Sequence, residues 1–271
     1  MTTVIRSETA FVSPPGNLPL FTPRLNGFSK RNLVSLHRMA NSNPQTSSVD
    51  DVTGQSSLPT LSGSGGTAGT VVALSGGGVR VQHLAQYPVK STIPIANPWS
   101  FGMCARLNSG ASGFQALLAT INYATNGLTC YTTQTPTTGA TLVSLTPRPS
   151  ANGAPGTAQS CGTASVFKFD TTFVIFLIHT GAGACGVEIW QSGNLVATGT
   201  LNFDTTTIQG STGNLVPNQL FCAGSINVTF PQTDINLEAM AVWNKALVSD
   251  EKAANYGAFA ALATTRGRAI P

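Results

Sequence analysis

Charged side chains are the scarcest feature of this 271-residue chain. They make up 9% of residues, against roughly 25% in typical soluble domains, while hydrophobic residues make up 41%. Because aliphatic residues are plentiful, the composition does not indicate a disordered chain. The abundant Gly, Ser, Thr, Ala and Asn favour short strands joined by uncharged turns. A surface so poor in charge predicts that partner proteins cover part of it.

The chain also lacks a metal-binding or secretory cysteine pattern. Its cysteines, at positions 104, 130, 161, 185 and 222, show no CxxC or Cys/His spacing. The opening MTTVIRSETA has no apolar segment of the signal-peptide kind. We therefore expect reduced, buried thiols and synthesis in a cytoplasm. The longest apolar run, FVIFLI at 173–178, has the length of a strand, so a membrane partner is not expected.

Basic residues are concentrated at the two ends of the chain. Residues 1–38 contain five Lys or Arg and the single acid Glu8, and Arg266 and Arg268 follow the last acid, Glu251. A nucleic-acid-binding arm would be denser in basic residues and would contain interleaved aromatics. Nucleic acid is therefore not expected as a partner, and acidic protein surfaces are favoured.

Residues 1–31 have the character of an extended arm. Prolines at 14, 15, 19 and 23 exclude a helix and favour extended backbone. A disordered leader is one interpretation, but the apolar residues between the prolines fit an arm that lies along a neighbouring subunit better. The residues predicted to dock are Arg6, Leu18, Leu20, Phe21, Arg24 and Leu25.

Strand signals follow at short spacing. WSFGMCARL (99–107) alternates large apolar residues with small or polar ones, and VEIWQSGNLVATG predicts a hairpin that turns at Ser192–Asn194. NLVSLHRMA from Asn32 fits either a strand or a short helix, and residues 41–69 have the composition of a long loop. About a dozen strands without strand–helix alternation predict an all-β, antiparallel sandwich of two sheets.

The segment EAMAVWNKALVSDEKAANYGAF, residues 238–259, predicts a strand followed by a short helix. Ser249 is the expected N-cap, and Asp250 and Glu251 favour the positive end of the helix dipole. Ala253, Tyr256 and Ala260 are predicted to lie against the sheet. The predicted domain organisation is an arm at 1–31, a sandwich at 32–259 and a basic tail at 260–271.

Four segments carry a resemblance to a known fold family. They are SGGGVRVQHL (75–84), NPWSFGMCARL (97–107), FVIFLIHTGAGACGVEIWQSGNLVATGTL (173–201) and INLEAMAVWNKALVSDEKAANYGAF (235–259). Their order over residues 32–259 resembles the concanavalin A-like, laminin-G-like jelly roll, which implies a two-sheet sandwich closed by a short helix. The hairpin turn is Ser-Gly-Asn and not the family's Asp-Gly. The acidic residues that bind calcium in many relatives have no match, so no cofactor or metal is expected.

The arm and the composition together are similar to bacteriophage virion proteins. This resemblance implies a non-enzymatic structural component of a phage particle, such as a decoration, baseplate or fibre-attachment protein. The expected partners are other virion proteins and further copies of the chain, in a trimer or higher oligomer. The protein would then be located in the virion after synthesis in the host cytoplasm. The alternative function is a carbohydrate-binding module that recognises a host-surface glycan.

One constellation is a candidate ligand face. Alternation along a strand places Asp234, Asn236 and Glu238 on one face, with Ile235, Leu237 and Ala239 on the other. Such a row could bind a sugar or a cation through oxygen ligands, or it could be a solvated sheet face.

No set of catalytic residues is predicted. Some relatives of this fold are glycosidases with alternating acids on one strand, but Asn236 occupies the middle position here. The three histidines, His37, His83 and His179, lie far apart, and no GxSxG motif is present. The tryptophans at 99, 190 and 243 lie in alternating strands, which favours the core over a sugar-stacking surface.

Overall fold

Two antiparallel sheets and one helix make up the described part of the chain. The computed structural model describes residues 27–29, 31–39, 49–51, 70–82, 89–91, 98–108, 115–121, 127–134, 141–148, 159–161, 170–180, 184–202, 220–225 and 234–268. The docking residues predicted in the arm, from Arg6 to Leu25, lie outside these ranges.

The larger sheet has nine strands. They are β1 (Leu33–Met39), β2 (Val49–Asp51), β3 (Thr70–Ala73), β4 (Val79–Gln82), β6 (Trp99–Leu107), β11 (Thr172–His179), β12 (Ala184–Gln191), β13 (Asn194–Asn202) and β15 (Asp234–Trp243). The smaller sheet has six, namely β5 (Val89–Ser91), β7 (Gln115–Ile121), β8 (Gly127–Gln134), β9 (Thr141–Arg148), β10 (Gln159–Cys161) and β14 (Leu220–Ser225). The predicted class, an all-β antiparallel sandwich with a C-terminal helix, is confirmed.

Strand β15 is the centre of the larger sheet. The order runs β13-β12-β11-β6-β15-β1-β2, and β4 also pairs with β15 while β3 pairs with β4. On one side β15 pairs with β6 along its length. On the other side its first half pairs with β4 and its second half with β1. The pairing of β15 with β6 contains a bulge at Glu238. The bulge lies at the point where the partner on the other side of β15 changes from β4 to β1.

Most strands form where alternation predicted them. Strand β6 has the predicted bounds, and the hairpin turns at Ser192 and Gly193, which both have positive φ angles. The ambiguous segment after Asn32 is strand β1. Within the predicted loop at 41–69, Val49–Asp51 instead forms strand β2. It pairs with β1, whose outer edge would otherwise leave its backbone groups unpaired.

Helix α1 (Ser249–Thr265) packs on one face of the larger sheet, which we call the outer face. Its buried residues, Asn255, Ala258, Phe259, Leu262 and Ala263, follow helical periodicity. Gly102 on β6 permits the close approach, since a Cβ there would lie 3.1 Å from the rings of Phe176 and Phe259. Strand β6 is therefore covered on this face by the helix.

Three predictions about the helix are wrong. Ser249 is its first residue and not its cap; extended Val248 precedes it, and Glu251 accepts the Val248 N–H at 3.2 Å. Ala253 is exposed, so its predicted place against the sheet is wrong, whereas Tyr256 and Ala260 are both partly buried. The tail predicted from residue 260 is helical as far as Thr265. The buried face of the helix was predicted wrongly because it contains a polar residue, Asn255.

Residues 27–29, at the end of the predicted arm, pack against the helix. Phe28 is buried, and its ring meets that of Phe259 edge to face at 4.7 Å. Asn255 Oδ1 accepts the Ser29 N–H at 2.8 Å, and the Ser29 carbonyl accepts the indole N–H of Trp243 at 3.0 Å. Phe28 and Ser29 therefore belong to the folded domain.

Candidate functional site

The three residues predicted as a ligand face lie on the outer face of the larger sheet. Asn236 pairs with Arg106 of β6, and Ala239 pairs with Cys104, which the helix covers. Because Glu238 is the extra residue of the bulge, the alternation shifts by one position after it. Ala239 is therefore on the same face as Asp234, Asn236 and Glu238, and its predicted placement on the opposite face is wrong.

Glu238 is neither solvated nor open to a ligand, because two arginines enclose it. Its side chain is 1% exposed and forms ion pairs with Arg266, at 3.1 Å, and with Arg268. Both arginines follow the helix and turn back onto the sheet. Burial lowers the pKa of Arg266, against the opposing effect of Glu238. We call Glu238, Arg266 and Arg268 the C-terminal clasp.

The clasp joins the end of the helix to three other places in the sheet. Arg266 donates to the carbonyl of Met39, at the end of β1, at 2.9 Å and to the carbonyl of Glu238 at 2.7 Å. Arg268 donates to the carbonyl of Ser75 at 3.0 Å, in the turn between β3 and β4. The two arginines of the predicted basic tail are thus held against the sheet.

Asp234 is held by two neighbours at the start of β15. Arg80 donates to both of its carboxylate oxygens, at 2.9 and 2.6 Å, and this hydrogen bonding raises the pKa of the Arg80 guanidinium. The Asn108 amide donates to Asp234 at 2.7 Å and to the Asn236 side-chain carbonyl at 3.0 Å. These bonds occupy acceptors on Asp234 and Asn236, so an oxygen-ligand cation site is not favoured here.

Arg80, Asn236 and Arg106 lie opposite one another on three adjacent strands, β4, β15 and β6. We call these three residues the cross-strand row. The side chains of Arg80 and Arg106 are 41% and 36% exposed. Arg106 donates to Asp170 at 3.0 Å, and its buried Nε has no hydrogen-bond partner among the described residues.

The tryptophans fall into two environments. Trp99 and Trp243 are fully buried, as predicted for core residues. Trp190 on β12 is only partly buried and lies beside Tyr256 of the helix, with ring centroids 5.5 Å apart and planes tilted by 34°. Leu195, its cross-strand partner on β13, is 45% exposed. We call Trp190, Tyr256 and Leu195 the aromatic corner.

Hydrogen bonds fix the orientation of both rings in the aromatic corner. The Tyr256 hydroxyl accepts the N–H of Gly193, at the tip of the hairpin, at 2.7 Å. The Trp190 indole N–H donates to Glu188 at 3.2 Å, and Glu188 also forms an ion pair with Lys252. The polar atoms of the rings are thus engaged within the domain, which holds the ring faces in a set orientation.

The aromatic corner and the cross-strand row lie on the same face of the larger sheet, toward the same ends of its strands. Trp190 pairs with Val174, and Thr172, two residues away on β11, pairs with Arg106. Four strand spacings separate β12 from β4, so the two features span about 19 Å. We call the two features together the outer-face shelf; Thr172 and Val174, which lie between them on β11, are buried.

Sequence reasoning did not identify Arg80, Arg106, Asn108 or Tyr256 as members of this surface. The only local signal was the alternation of residues in VRVQ and WSFGMCARL. It places Arg80 and Arg106 on the strand face opposite to their apolar neighbours. The register between strands, which brings them beside Asn236, is not encoded in any local pattern.

Known structures with a similar fold include binding domains of botulinum neurotoxins. The serotype C1 binding domain superposes with a TM-score of 0.54 at 10% identity, over 84% of this chain and 52% of that one. A type C structure, described by its dependence on two ganglioside molecules for cell entry, superposes at 0.52 with 11% identity, over 83% of this chain and 51% of that one. The type DC binding domain in complex with SialylT superposes with a TM-score of 0.52 at 10% identity, over 84% of this chain and 52% of that one.

This likeness shows the fold. The chain spans about half the length of those binding domains. No family model and no curated protein matches the sequence.

His179, Cys104 and Cys185 are buried in the larger sheet. His179 is buried against Trp99, with stacked rings 5.5 Å apart, and burial lowers its pKa to about 4. Cys104 and Cys185 are buried, and burial raises the pKa of the Cys104 thiol.

The described ranges contain no group of three or more His, Cys, Asp or Glu residues placed to hold a metal ion. They also contain no helix of the length and apolar character needed to cross a membrane.

Proposed function

We propose that this domain binds carbohydrate, without catalysing a reaction, along the outer-face shelf. The observation that carries the proposal is the aromatic corner: Trp190 reaches the surface beside Tyr256, whereas the other two tryptophans are buried. A flat indole face is complementary to the apolar face of a pyranose ring, and oriented polar groups nearby supply specificity.

The shelf has the composition that a sugar site requires. It combines ring faces at one end with guanidinium and amide groups at the other, all in orientations fixed by hydrogen bonds. A span of about 19 Å accommodates several sugar units in a row. The fold supports the same function, since structures of similar fold come from proteins described with a ganglioside dependence or a bound SialylT.

A glycan array followed by calorimetry tests this proposal. We expect binding to a defined set of oligosaccharides, and Trp190→Leu should weaken the affinity at least about tenfold, equal to ~1.4 kcal/mol. Leucine fills apolar space but has no flat ring, and a thermal melt checks that the variant is folded.

Val248→Ala is the matched control. Val248 is 61% exposed and precedes the helix, outside the outer-face shelf. Its removal should leave the affinity unchanged. A chain that binds no glycan on the array, or a Trp190→Leu variant that binds as well as the wild type, would contradict the proposal.

A second proposal is a structural role in a phage particle, as a decoration, baseplate or fibre-attachment protein. It is favoured by the 9% content of charged residues and by the proline-rich arm. The two proposals are compatible, because a virion protein can also bind a host glycan. Removal of residues 1–26 should then abolish incorporation into the particle while the sandwich stays folded. Normal incorporation of the truncated chain would contradict docking by the arm.

A further inference from the structure

The cross-strand row has more hydrogen-bond donors than acceptors left for a ligand. The two Asp234 oxygens accept three bonds from Arg80 and Asn108, and the Asn236 carbonyl accepts one from Asn108. Arg106, in contrast, uses one of its five N–H groups on Asp170. A ligand that fits the row must therefore supply acceptors.

The donors that remain lie side by side. Arg80 bonds Asp234 through Nε and Nη2, so its Nη1 is left to face a ligand. Asn236 pairs with Arg80 on one side and with Arg106 on the other, and its own side chain is buried, so the donors that face a ligand come from the two guanidinium groups. The buried Nε of Arg106 has no hydrogen-bond partner among the described residues, and an unsatisfied buried donor indicates that an acceptor is missing.

The charge balance around the row favours an anionic acceptor. Arg80 and Arg106 are each paired with one aspartate, so these two pairs are formally neutral. Glu238, two residues from Asn236 on β15, is paired with both Arg266 and Arg268, which leaves one positive charge in the clasp. A carboxylate would add charge-assisted bonds in this field, and its planar geometry matches that of a guanidinium group.

We propose that the cross-strand row binds the carboxylate of an acidic sugar, while the aromatic corner holds a neutral sugar unit of the same glycan. This inference rests on the proposed carbohydrate-binding function and names the ligand class for that site. Arg106 is the central residue of the assignment, because it has the largest number of uncommitted donors and a partly exposed side chain.

The experiment compares two ligands that differ by one acidic sugar, lactose and 3′-sialyllactose, by calorimetry at low and high salt. We expect 3′-sialyllactose to bind at least tenfold more tightly than lactose at low salt, with the difference shrinking at high salt. Arg106→Gln should remove most of this difference, so that the ratio of the two affinities falls toward one. Arg106→Lys should keep part of it, since lysine retains the charge without the planar donors.

Trp190→Leu provides the matched comparison, because it should weaken both ligands together. Equal affinity of the wild type for the two sugars would overturn the inference and leave the proposed function standing. An Arg106→Gln variant that retains the full preference for 3′-sialyllactose would overturn it too. Absence of binding to both sugars, together with a blank glycan array, would overturn the proposed function itself and the inference with it.

Discussion

At the scale of single residues, the most demanding group in this domain is the carboxylate of Glu238. A buried charge is tolerated only when partners replace the water that it has lost. Here the partners are two arginines from a segment some thirty positions later in the chain. The Glu238 side chain therefore has a structural role, although alternation along the strand had placed it among the candidate ligand-binding residues.

Replacing Glu238 with Gln should destabilise the domain by about 3–5 kcal/mol, because two buried guanidinium groups would lose their counter-charge. Chemical denaturation measures the change in the free energy of unfolding. Asp170→Asn is the control, since its ion pair with Arg106 is exposed and should contribute at most about 1 kcal/mol. Adding Arg268→Met to Glu238→Gln should restore part of the loss, and strictly additive effects would contradict the coupling.

Because His179 is buried and its pKa is lowered, we expect the stability of the domain to depend on pH. Its folded-state pKa, about 4, lies below the unfolded value of 6.5. Between these two values the unfolded chain binds a proton that the folded chain does not, so stability falls as the pH drops from 6.5 toward 4. The loss reaches at most about 3 kcal/mol. Unfolding free energies measured from pH 7 to pH 4 should fall less steeply in His179→Phe, which keeps a ring against Trp99. An unchanged slope would contradict this role.

At the scale of elements, alternation predicts strands well because it is a local property. The bounds of β6 follow from WSFGMCARL alone, and the resemblance placed a helix after the last strand. The predicted cap was wrong because Glu251 binds the Val248 N–H and no side chain is needed at the N-cap position. The bulge at Glu238 was also missed, since it depends on the register between β15 and β6, which no local sequence pattern encodes.

The turn between β3 and β4 is shaped to accept the clasp. Gly76, Gly77 and Gly78 all have positive φ angles, and a Cβ at Gly78 would lie 2.8 Å from the Glu238 carboxylate. Gly78→Ala should therefore destabilise the domain more than Gly193→Ala. Gly193 also has a positive φ angle, but its added Cβ would meet nothing within 4 Å, so that variant measures backbone strain alone, about 1–2 kcal/mol. Equal shifts in thermal melts of the two variants would contradict the steric contribution.

The outer-face shelf is a property of the whole larger sheet. Its members come from β4, β6, β12, β15 and helix α1, and the sequence predicted only Asp234, Asn236 and Glu238 as a candidate face. Local pattern could place each residue on one face of its own strand. It could not bring Arg106 beside Asn236, because that contact depends on which strands pair and in what register.

The boundary between arm and domain can be tested by truncation. Deletion of residues 1–26 should leave the free energy of unfolding nearly unchanged. Deletion of residues 1–30 also removes Phe28 from its contact with Phe259, together with the Ser29 hydrogen bonds to Asn255 and Trp243. The second deletion should cost about 3–5 kcal/mol, the usual effect of removing a buried phenylalanine. Two truncated chains of equal stability would place Phe28 outside the core.

The pairing of β1 with β15 also has a consequence for the order of events during synthesis. About 200 residues separate these neighbours, so at ribosomal rates of about 5–20 residues per second the first strand waits roughly 10–40 s for its central partner. Until then the edge of β1 that β15 will occupy is open to other chains, and contacts this distant in sequence form slowly. A nascent chain that stops before residue 234 would leave that edge of β1 without its partner strand.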